Sequence, residues 1–347
     1  LEAAIAVQHD HPGANHLYIH LMEMSSEPEL AMPAAQKLEA IVPISGHMVH
    51  MPGHIYLRVG EYEKAIDINE RSQIVDLQFA QIWGDNNFPM IGTYPLSHKI
   101  HSGHALDFVR YANMLQGNYG AAAEAANRNA ASGPNIVRGQ KTAAHAWIMD
   151  KVFGKWDKIH ADNSANSQQE SPYLRGMWSY VMGSAHVAKG HIGPAEGELA
   201  NIREQIQADG VDDAGVGPTP ASHVLSLAMH ALLGEIEEAK GNLDAAILHY
   251  GHAVEFHENL NYTEPPDWSQ SMRLYLGAAL LKADRAPEAE EVYRKDLEWN
   301  QQNPWTTFGL YQALTDQGKE QEAIIVKRQF DSWWRNADVE LEYSRIY

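Results

Sequence analysis

Gly60-Glu61-Tyr62-Glu63-Lys64-Ala65 is a phrase this chain keeps repeating: Gly, any residue, a large residue, two more, then a small one. It returns from Gly117 to Ala122, from Gly154 to Ile159, from Gly190 to Ala195, from Gly241 to Ala246 and from Gly318 to Ala323. A weaker copy without the glycine runs from Asp284 to Ala289. The pattern has a physical reading. A glycine ends one helix in a left-handed turn, a conformation that costs other residues more. The large residue then re-enters the core, and the small residue lets two helices approach closely. Seven residues before several turns lies another small residue, at Gly53, Gly183, Gly234 and Gly277, which predicts a second point of close approach.

The phrase therefore predicts an all-α chain of antiparallel helix pairs. Pro12 to Met24 reads as the first helix of an earlier pair and Pro28 to Ile41 as its second, ended by Pro43. Ala31 precedes Ala65 by 34 residues, the period of the tetratricopeptide repeat (TPR). The pattern resembles that family and implies a TPR-type α-solenoid, a right-handed superhelix. The expected organisation is one superhelix over 1–347, with histidine-rich repeats at about 12–135 and further repeats at about 136–205 and 223–335. Two stretches, 82–95 and 208–222, read as irregular insertions, because Gly, Pro, Asp and Asn punctuate them. Insertions in repeat proteins gather on one face, and the first is expected to cover the site described next.

The histidines follow the same register. The chain has 19, and ten fall within its first 104 residues. His16 lies 15 residues before Ala31, His50 lies 15 before Ala65, and Asp107 lies 15 before Ala122. One turn later come His20, His54 and Tyr111; one turn earlier come Gly13, His47 and His104. At the chain-wide frequency these nine positions would hold about 0.5 histidine by chance. Six are histidine, whereas the fourth and fifth repeats have none at these places. Offsets of three and four put each set on one helix face, and Glu23 extends the first stripe by a turn. In a TPR fold that face lines the concave groove. His16, His20, Glu23, His47, His50, His54, His104 and Asp107 are therefore expected to converge as metal ligands, with His11 and His101 as a second tier. Imidazole and carboxylate donors suit zinc, iron, copper, nickel or manganese. The chain has no cysteine, which excludes disulfides, zinc ribbons, iron–sulfur clusters and thiol nucleophiles.

Longer phrases resemble a bacterial group of TPR proteins. They are His11 to His20 (HPGANHLYIH), Gly46 to Tyr62 (GHMVHMPGHIYLRVGEY), His104 to Phe108 followed by Tyr111 to Gly117, and Glu264-Pro265-Pro266-Asp267-Trp268 with Leu276 to Leu281 and Phe308 to Leu310. The resemblance spans nearly the whole chain and implies the fold; it assigns no reaction. In the group a second histidine commonly stands at the place of Asp107, so this chain departs there. Members commonly begin further upstream, and many are exported, which implies a periplasmic or extracellular location. The chain starts at Leu1, which reads as a trimmed start.

The remaining features bound the function. Net charge is −19, with 45 acidic against 26 basic residues, which argues against a nucleic-acid partner and favours cations in a groove. No apolar run approaches the roughly 18 residues of a membrane span. The Glu264–Trp268 loop, stiffened by two prolines, would face the histidines across the groove if the superhelix curls. Glu264 or Asp267 would then be a general acid or base. The first expectation is a metal-binding TPR protein, plausibly a metalloenzyme acting on a small molecule or peptide in its groove. The alternative is a TPR adaptor or self-assembling scaffold, with the histidines as contacts or a switch near pH 6.5. Phe330 to Trp334 would then offer an apolar surface for homo-oligomerisation, or else close the core.

Overall fold

The computed structural model describes residues 1–83, 99–132, 139–162, 171–213 and 217–347. Among them the regular structure is helical, and it forms two compact units. The first comprises Leu1–Gln116 with Glu298–Gln302, and the second comprises Gly117–Leu297 with Asn303–Tyr347.

The first unit begins with α1 (Glu2–Val7) and α2 (Pro12–Glu23), then a 3-10 turn (Pro28–Ala31) leading into α3 (Met32–Ile41). The segment read as one helix through His47, His50 and His54 is two: α4 (Gly46–His50) and α5 (Pro52–Arg58). Pro52 has no N–H to give, so Met51 is the junction. The unit closes with α6 (Tyr62–Trp83) and α7 (Lys99–Leu115). Since α6 runs through Trp83, residues 82 and 83 of the expected 82–95 insertion are helical; the rest of that insertion lies outside the described residues. First helices of successive repeats lie side by side: α2 packs on α5, and α4 and α5 pack on α7. That arrangement brings the three histidine stripes together.

The second unit runs through α8 (Tyr119–Ser132), α9 (Gly139–Val152), α10 (Trp156–Ala161), α11 (Pro172–Ala188) and α12 (Ile192–Ile206). It continues with α13 (Ala221–Ala239), α14 (Leu243–Glu258), α15 (Met272–Lys282), α16 (Ala286–Trp299), α17 (Pro304–Asp316) and α18 (Glu320–Trp333). The insertion at 208–222 holds a 3-10 turn at Val211–Asp213, and Asp212 accepts from the Ser222 backbone N–H at 2.8 Å, fixing the start of α13.

The turns behave as the repeated phrase predicts. Gly60, Gly117, Gly154, Gly190, Gly241 and Gly318 all have φ between 64° and 81°, and Asp284 takes the same conformation at 57°. The residue after the turn donates back five residues, as in Glu61 N–H to Tyr56 C=O at 2.8 Å and Asn242 N–H to Glu237 C=O at 2.9 Å. These bonds satisfy carbonyls that the helix end would leave orphaned. The small residues of the phrase, Ala65, Ala122, Ala195, Ala246, Ala289 and Ala323, are all buried. Gly234 shows why the earlier small position matters: a Cβ there would stand 2.3 Å from the Tyr250 ring. At the C-terminal end, Phe330 is buried against Phe308, and Trp334 meets the Trp305 ring edge-on at 5.2 Å. That segment closes the core of its unit.

Candidate metal centre

The site lies within the first unit. Its histidines form two adjacent triads, each with one ligand atom per residue, all within 4.8 Å of one another. The inner triad is His50, His54 and His104; the outer triad is His16, His20 and His47. They differ in exposure. His50 and His54 are 1% and 4% exposed, whereas the three outer rings are half-buried. Phe108 backs the inner triad, with ring centroids 4.9, 4.8 and 5.2 Å from those of His50, His54 and His104.

Hydrogen bonds fix the tautomers of two inner rings. The Asn69 side-chain amide donates to Ala65 C=O at 2.7 Å, so its oxygen faces His50. His50 Nδ1 lies 2.5 Å from that oxygen and must carry the hydrogen. His54 Nδ1 lies 2.5 Å from a Glu23 carboxylate oxygen and donates likewise. Burial pushes the Glu23 carboxyl up, but hydrogen bonds from His20 and His54 outweigh it and hold it down at about 2. The two Nε2 atoms stand 2.8 Å apart: where both rings are neutral their lone pairs face each other, and where one ring is protonated its Nε2–H donates to the other. Two lone pairs at that distance repel unless a cation or proton lies between them. Burial, then the neighbouring His54 and His104, holds His50 well below the usual imidazole range. An imidazole whose far nitrogen is tied to a carboxylate or amide, with the near one bare, is the arrangement of metal-ligating histidine.

Glu23 is shared between the triads. Its other oxygen is 3.3 Å from His20 Nδ1 of the outer triad. In that triad His16 Nε2 and His47 Nε2 are 3.1 Å apart. His16 is held low by burial, then by His20 and His54.

The structure thus brings together His16, His20, Glu23, His47, His50, His54 and His104, as the register predicts. Asp107 belongs to neither triad: its Oδ1 accepts from Arg110 Nε at 2.6 Å. His11 caps α2, its Nδ1 accepting from Ala14 N–H at 3.2 Å, and stays exposed outside the triads. The side chain of His101 lies outside the described residues. Glu264 and Asp267 are buried residues of the second unit; Asp267 accepts from Lys141 Nζ at 2.8 Å, and Trp268 packs on Tyr180. Asn69 and Phe108 escaped the sequence reading. A buried Asn inside a helix is a poor helix former and was the available signal for the first; for the second it was the spacing, since Phe108 stands four residues after His104 and shares its helix face. Histidines read as scattered also pair up: His160 with His186, and His230 with His249 and His252.

Fold and cluster together define a class: a TPR-type helical-repeat protein with a largely buried histidine–carboxylate cluster. No family model matches the chain, and no curated protein matches it. Among solved structures it is similar to the TPR domain of P58(IPK), at 14% identity, covering 95% of this chain and 86% of that one. It is also similar to the Cut9–Hcn1 hetero-tetramer of the APC/C, at 11% identity, covering 96% and 86%. Both have a TM-score of 0.29, too low to carry an argument, so the TPR-type assignment rests on the repeated turns and helix pairs.

Proposed function

We propose that this is a metal-binding TPR-type protein whose inner triad, His50, His54 and His104, holds a transition-metal ion. The observation that carries this reading is the convergence of three imidazoles with one ligand atom each within 4.8 Å of one another, His50 and His54 being anchored through their Nδ1 atoms. Three imidazoles without cysteine suit zinc, iron, copper or manganese. An ion on three protein ligands keeps a position open, where it would polarise a small substrate or activate water. Glu23 and Asn69 orient the rings, and Phe108 excludes water from one side.

Thermal melting tests it. After stripping with a chelator, re-addition of zinc at about 1,000 times its dissociation constant is expected to stabilise the fold by about 4 kcal/mol. A His50→Ala, His54→Ala variant is expected to show a markedly smaller rise; equal responses in both proteins would exclude the inner triad as the site.

The second reading is a groove that binds a protein partner, as TPR-type folds generally do. Leu17, Leu21 and Met24 favour it: they form an exposed apolar stripe along α2 and its C-cap, beside the histidine face. It predicts a fold indifferent to metal.

A further inference from the structure

We propose that the outer triad, His16, His20 and His47, is a second metal site, filled after the inner one, so that the cluster is a two-ion centre with a closed ion and an exchangeable one. This rests on the reading of the inner triad as a metal site. Three observations carry it. First, the outer rings converge independently: His16 Nε2 and His47 Nε2 are 3.1 Å apart, and the ligand atoms of all three residues lie within 4.8 Å of one another. Second, the triads are neighbours, with the His20 ring 5.4 Å from that of His54 and the His47 ring 6.3 Å from that of His50. Third, Glu23 holds one ring of each, through Oε1 to His20 Nδ1 at 3.3 Å and through Oε2 to His54 Nδ1 at 2.5 Å. A carboxylate set this way supplies negative charge to both sites and orients both ligand sets.

The order of filling follows from exposure and charge. Two of the three inner rings, His50 and His54, are closed to solvent and only His104 is half-buried, while His16, His20 and His47 are all half-buried. Water competes for an ion only where it has access, and the first cation repels the second. The outer ion is therefore the weaker and faster to exchange, and it is the more open to solvent-borne ligands. Its chemistry calls for small oxygen-donor molecules, which displace metal-bound water readily.

The test is calorimetric titration of the chelator-stripped full chain with zinc. Expected are two equivalents in two steps, the second weaker by about tenfold or more, corresponding to at least about 1.4 kcal/mol. In a His16→Ala, His47→Ala variant the second step is expected to vanish and the first to remain. One equivalent in the unaltered protein overturns the second site and leaves the inner site standing. No binding at all overturns the inner site, and the outer proposal with it. The stoichiometry of the unaltered protein decides the matter even if the variant fails to fold.

Discussion

His50 and His54 point their Nε2 atoms at each other across 2.8 Å, while their Nδ1 atoms are tied to Asn69 and Glu23. The two residues are one turn apart in sequence, and the break at Met51 and Pro52 lies between them. Each contact that fixes this arrangement can be removed separately.

Asn69 is the most selective of these. Asn69→Ala removes the acceptor that keeps the hydrogen on His50 Nδ1, without touching a ligand. Metal affinity is expected to fall about 10–100-fold. The cost to apo stability is expected to be about 1–3 kcal/mol, from the unpaired buried groups. Affinity equal to that of the unaltered protein would show that the His50 tautomer does not matter.

Glu23→Gln keeps the size of the side chain and removes its charge. Because Glu23 meets both His20 and His54, the change is expected to weaken zinc binding by about 10–100-fold. Isothermal titration reads this directly. A loss confined to one of the two steps, or no loss at all, would contradict the shared role of the carboxylate.

Gly234→Ala tests the packing of the repeats away from the histidines. The added methyl would meet the Tyr250 ring at 2.3 Å, and that ring is fully buried. Destabilisation of about 1–3 kcal/mol is expected from such overpacking, read as a lower melting temperature. Metal content per folded chain is expected to stay the same, since both residues belong to the second unit.

Acid sensitivity has a local source in the second unit. Burial, then the neighbouring imidazoles of His249 and His252, lowers His230 to about 4, with Arg203 adding to the shift and Glu255 opposing it. A group with a folded value below its unfolded value of 6.5 takes its proton first in the unfolded chain. Its contribution to stability is therefore complete above pH 6.5 and is lost as pH falls from there to about 4. Urea unfolding midpoints across that window are expected to fall with pH, and less steeply in His230→Gln. The same slope in both proteins would remove His230 from the account.

Much of this was legible in the amino-acid order. The glycine turns and small residues recur at the period that packing demands, so the helix pairs and their side-by-side first helices follow from spacing alone. The convergence of His16, His20, His47, His50, His54 and His104 followed from the same register. Contacts between side chains that spacing does not address were not legible. Asp107 sits on the right face, yet Arg110, three residues on, takes its carboxylate. His11 occupies the right end of α2 but spends its Nδ1 on capping the helix. Asn69 comes from the second helix of its pair, whereas the register looked only along first helices. Pro52 splits the expected helix without moving His54 off the shared face, because the chain resumes helical geometry at once.

The most direct measurement is the elemental content of the purified protein by mass spectrometry, beside the His50→Ala, His54→Ala variant. The account predicts at least one equivalent of a transition metal per chain, surviving dialysis and lost in the variant. No bound metal in either protein, even after reloading with zinc, iron, copper and manganese, would contradict it and leave the histidine face as a surface for a protein partner.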